Sequence, residues 1–135
     1  MEKLKKKREK FIKSLHALDR SITVSLRDDF SEDIMHSLVA SNIKHFEMCY
    51  ESAWKFLQIY LVEKYTQEQI NSPKPIFREC FSLGILDNAT IKELLDISEA
   101  RNATVHDYDE ETAQETCNRI HQYYETLKGL EKLSL

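Results

Sequence analysis

Turn-forming residues are nearly missing from this sequence: its 135 positions hold two glycines and two prolines. Those residues punctuate hairpins and tight loops, so a chain poor in both argues against β meanders and sandwiches and favours long helices. Cysteine is sparse as well. Cys49, Cys80 and Cys117 are odd in number, far apart and in no metal-ligand spacing. That pattern argues against a disulfide framework and a zinc module, and reads as small buried hydrophobes in a reducing compartment. Nor does any apolar run approach the roughly 20 residues of a membrane span. The basic start, MEKLKKKREK, leads into the amphipathic FIKSLHALDR and not into the apolar stretch of a signal peptide. These absences predict a cytoplasmic, all-α protein, and the length fits one domain over residues 1–135.

What is present is charge, unevenly placed. The formal net charge of −4 opposes non-specific nucleic-acid binding through overall charge. Yet residues 1–13 carry seven Lys or Arg against two Glu, and residues 87–125 carry ten Asp or Glu against three Lys or Arg. One end is basic and the later third is acidic.

Apolar spacing predicts an antiparallel up-and-down bundle of four main helices and a short one. Phe11, Leu15, Leu18, Ile22 and Leu26 form the stripe of a first helix. Ser31 is an N-cap candidate for a second, starting near Glu32 and running to about Tyr65. Its stripe is Ile43, Phe46, Tyr50, Ala53, Leu57 and Tyr60, widened by Trp54 and Leu61. Pro75 can open a short helix through Cys80 and Phe81, with Gly84 at its C-terminal cap. Asp87 or Asn88 caps the next helix, whose face holds Ile91, Leu94, Leu95 and Ser98 and which is ending near Arg101. From about Glu110, Ala113, Cys117, Ile120, Tyr124, Leu127 and Leu130 mark the last.

Between those two helices lies RNATVHDYD, residues 101–109, the densest polar stretch of the chain. An Arg fork holds a phosphate bidentately, and a His near neutral pH gives or takes a proton. If the chain turns between Arg101 and His106, both reach one anion, the two tools of phosphodiester cleavage without a metal. Asn102 adds an orienting amide, and the Tyr108 phenol can pack or accept a transferred group. The plainer alternative pairs Arg101 with Glu99, Asp107 or Asp109 on the surface and leaves His106 as a loop residue. The other histidines, His16, His36, His45 and His121, form no pair at ligand spacing, so neither a metal nor another cofactor is assigned.

Taken with FE at 46–47, WKFLQIYL at 54–61, SPKPIFREC at 72–80 and LGILDN at 83–88, the motif RNATVHDYDEETA resembles the HEPN superfamily over nearly the whole chain. The likeness is to the nucleotidyltransferase substrate-binding proteins grouped with the HepT toxins. It implies a dimeric helical bundle whose signature is matched by Arg101, Asn102, His106 and Tyr108. It further implies a toxin–antitoxin pair in which a metal-independent endoribonuclease cuts RNA. His106 would be the general base, Arg101 would stabilise phosphate charge and Asn102 would orient. A minimal nucleotidyltransferase would neutralise the toxin by transferring AMP to Tyr108. The acids Asp107, Asp109, Glu110 and Glu111 repel RNA and favour another reading. In it the chain is a non-catalytic nucleotide- or substrate-binding subunit docked on the nucleotidyltransferase, with Arg101 holding phosphate. A scaffold for that partner is the third.

Overall fold

The computed structural model describes residues 2–27, 29–106 and 109–133, and its regular elements are all helical among them. They are α1 (Glu2–Ser25), α2 (Glu32–Tyr65), α3 (Pro73–Ser82), α4 (Asn88–His106), α5 (Glu110–Gly129) and a 3-10 turn, Leu130–Lys132. Helix α2 is the hub, packing against each of the other four, while α5 also lies on α1 and α4. Cross-links show that neighbours run antiparallel. Asn42 of α2 bonds Ser25 of α1, and Tyr50 of α2 bonds Ser98 of α4, whereas Glu47, one turn earlier, meets Thr104, further along α4. No helix among the described residues is long and apolar enough to cross a membrane.

The predicted stripes become the core. Phe11, Leu15, Leu18 and Ile22 of α1 and Phe46, Tyr50, Ala53 and Leu57 of α2 are all buried. Aromatic contacts cross the helix seams: Phe11 stacks on Phe56 and Phe46 on Tyr123, each with centroids 5.6 Å apart. Each such side chain removed from water contributes about 1.5–3 kcal/mol. Burial pushes the Cys49 and Cys80 thiols up to about 12, so both are packing groups and not nucleophiles.

Local chemistry fixes most boundaries. The Ser31 hydroxyl accepts from the Ile34 amide and the Asp109 carboxylate from the Thr112 amide, capping α2 and α5. Asp87, not Asn88, caps α4, accepting from the Thr90 amide. After α3 the chain closes a Schellman turn: Gly84 N–H donates to the Phe81 carbonyl and Ile85 N–H to that of Cys80, with Gly84 at φ +78°.

Three expectations are corrected. Leu26 lies past the end of α1 and is 77% exposed, so the stripe stops at Ile22. Pro73, not Pro75, takes the first position of α3, because both prolines fit a first turn whose amides have no intrahelical acceptor. And α4 does not end near Arg101 but continues through His106, since RNATVH holds no glycine or proline to stop it.

Candidate anion-binding cleft

Because α4 is helical to His106, its motif residues point in directions set by the helix. Five residues at about 100° each place His106 roughly 140° around the axis from Arg101. The two side chains therefore do not converge: Arg101 is half-buried against α2, and His106 is exposed at the helix end. Asn102 is half-buried about 100° round the axis and does not line the Arg101 cleft. Tyr108, with Asp107, lies outside the described residues.

Arg101 faces a cleft of about 330 Å³ between α1, α2 and α4, with Lys10, Lys44, Glu47, Met48 and Glu51 among the other residues around it. Its guanidinium stands 5.7 Å from the Tyr50 ring centroid, and Nη2 is 3.6 Å from Glu51 Oε2. The Arg101 Nε is buried with no hydrogen-bond partner. Such a donor is costly to leave unpaired.

Glu51 is shared among three neighbours. Its Oε2 also accepts from Trp54 Nε1 at 3.0 Å, and its Oε1 pairs with Lys55 Nζ at 3.1 Å. Burial raises the Glu51 carboxyl, but the bonds from Lys55 and Trp54 and the charges of Lys55 and Arg101 outweigh it and hold the group low. Underneath, Tyr50 Oη lies 2.7 Å from Ser98 Oγ, which itself donates to the Leu94 carbonyl, so the floor is rigid. The Thr104 hydroxyl, 2.8 Å from Glu47 Oε2 and 2.9 Å from the Arg101 carbonyl, pins α4 to α2 one turn further on.

Three cations, Lys10, Lys44 and Arg101, against Glu47 and Glu51 leave the cleft one net positive charge on a protein of net charge −4. It suits an anion with planar, bidentate acceptors, a phosphate or carboxylate. Sequence reading found Arg101 but not Lys10, Lys44 or Glu51 as its company. Lys10 belongs to the basic start, and only the packing of α1 on α2 brings it here. No described group of three or more His, Cys, Asp or Glu is placed to hold a metal ion.

A family model described as nucleotidyltransferase substrate binding protein like matches residues 6–134. The chain is also similar to a protein of known crystal structure from Thermus thermophilus, 28% identical, with a TM-score of 0.75 over 89% of this chain and 94% of that one. No curated protein sequence matches. The matched family is one of binding proteins, which overturns the expectation of an endoribonuclease. The divergence of Arg101 and His106 around α4 gives the physical reason: within this chain the base and the phosphate clamp do not meet on one scissile group.

Proposed function

Because the chain belongs to the nucleotidyltransferase substrate binding protein like family, we propose that it is the non-catalytic substrate-binding subunit that docks on a minimal nucleotidyltransferase. Arg101 holds a phosphate of the bound nucleotide or substrate, and Lys10 and Lys44 add charge at the rim. The observation that carries this reading is the Arg101 guanidinium, open to a net-positive cleft, with a buried Nε lacking a partner. The edge of that cleft is apolar. Met48 is 53% exposed and Val105, one turn beyond Arg101 on α4, 46%. Residues of this kind suit the centre of a protein contact, here a homodimer that leaves Arg101 at its seam.

Calorimetric titration of the full chain with ATP and AMP tests the site. Arg101→Ala should weaken binding about tenfold or more, the scale of a lost bidentate charge-assisted pair. Equal affinity in the variant overturns the assignment. Sedimentation of Met48→Glu reads the dimer, which should dissociate. Tyr108 follows α4 by two residues and is proposed as the AMP acceptor, its phenol oxygen bonding to the α-phosphorus of ATP as pyrophosphate leaves: the intact mass should rise by one or more AMP units after incubation with partner and ATP. Tyr108→Phe should abolish the gain, and a gain that persists removes Tyr108 from the scheme. Asn102 and His106 are proposed to position this segment for the partner.

A further inference from the structure

Further along the groove between α1 and α2 lies a second cleft, about 260 Å³, walled by those two helices alone. Its polar lining is Arg20, Ser21, Ser41 and His45, and Val24 and Leu38 give it an apolar side. In an acidic protein it stands out by its charge. Each of four comparable clefts formed by the described residues contains at least two carboxylates, and this one contains none. Arg20 is exposed and has no ion pair among the described residues.

A directed chain of hydrogen bonds builds the floor. Ser25 Oγ donates to the Ile22 carbonyl at 2.7 Å and accepts from Asn42 Nδ2 at 3.0 Å. That bond turns Asn42 Oδ1 towards Ser21, whose single hydroxyl hydrogen it takes. Ser21 and Ser41 are 3.2 Å apart, so Ser41 is the donor between them. Ser41 alone therefore has a hydroxyl hydrogen that can swing from a protein acceptor to a ligand. His45 is ordered in the same way. Its Nδ1 lies 2.9 Å from the Ser41 carbonyl, which can only accept, so Nδ1 carries a hydrogen and Nε2 is the ring atom left for a ligand.

We propose that this cleft binds a phosphate monoester. Arg20 takes the phosphate oxygens, Ser41 donates a further hydrogen bond, His45 Nε2 and a phosphate oxygen share one proton between them, and the organic group rests on Val24 and Leu38. It is separate from the Arg101 cleft and independent of the function proposed for that cleft.

Phenyl phosphate and inorganic phosphate are the probes, titrated into the isotope-labelled full chain and followed by NMR. Phenyl phosphate should shift the His45 ring signals and the amides of residues 20, 21, 41 and 45. Arg20→Ala and His45→Gln should each weaken it about tenfold, the loss of one charge-assisted contact. Absence of shifts at Arg20 and His45, or affinity retained in both variants, overturns the site. Equal affinity for inorganic phosphate overturns the assignment of an organic monoester.

Discussion

Replacing Glu51 by Gln should strengthen anion binding at Arg101. The substitution keeps the side chain's length and an acceptor for Trp54 Nε1, but removes the negative charge 3.6 Å from Arg101 Nη2. By the count of lining charges, the cleft passes from one net positive charge to two. Two unit charges 4 Å apart interact by about 4 kcal/mol at an effective dielectric of 20. Here the side chains are 30% and 37% exposed, so solvent screening brings the effect into the range of surface pairs, about 0.2–1 kcal/mol. That corresponds to roughly a 1.4- to 5-fold gain in affinity for a nucleotide. Trp54 is the single tryptophan and donates to Glu51, so its fluorescence reports the titration directly. The gain should shrink as salt is raised, because exposed charges are screened. Weaker binding in Glu51→Gln, or a gain that survives when Arg101→Ala is added, refutes the idea that Glu51 is the counter-ion an incoming anion must displace.

Two further outcomes concern stability. The Asp109 carboxyl is held low by the Thr112 backbone and side-chain bonds, and Asp87 by the matching bonds from Thr90. A depressed carboxyl stabilises the fold above its unfolded value and loses that contribution as pH falls through its folded value. Asp109→Asn keeps a cap that does not titrate, so its melting temperature should fall less steeply than the wild type's on acidification below about pH 4. Identical slopes count against the cap. At the end of α2, Thr66 sits in the left-handed region at φ 53°, where a β-branched residue is strained by roughly 1–2 kcal/mol. Thr66→Gly relieves that at an entropic cost of about 0.5–1 kcal/mol, so the net gain is between about 0 and 1.5 kcal/mol and the melting temperature should hold or rise by up to about 6 °C. A fall on thermal denaturation means that the Thr66 side chain contributes more than its backbone costs.

The helices were legible because their information is local. Apolar residues three and four apart predict buried faces whatever those faces meet, and Ser31, Gly84 and Asp87 carry their capping chemistry in one side chain or in the lack of one. Helix ends were harder where that chemistry is silent. Nothing in LVEKYTQEQ announces that Thr66 turns left-handed, and Leu26 continues a periodicity that its helix does not. The site was legible only in part, for a related reason. Arg101 announces itself by type, but the distance between Arg101 and His106 along the chain hides their angle until the length of α4 is known. Lys10, Lys44 and Glu51 join Arg101 through packing between three helices, which no spacing within one helix encodes. The Ser21–Asn42–Ser25 chain is hidden in the same way.

Arg8 Nη2 donates to the Glu131 carbonyl at 2.9 Å across 123 positions of sequence. With α1 lying along α5, this bond makes the start and the finish of the bundle a single corner. Strain applied to either segment is therefore felt by the other. Fraying of the first turns of α1 exposes the 3-10 turn that closes α5, and amides in these two stretches should exchange with solvent together although they are the most distant in the chain.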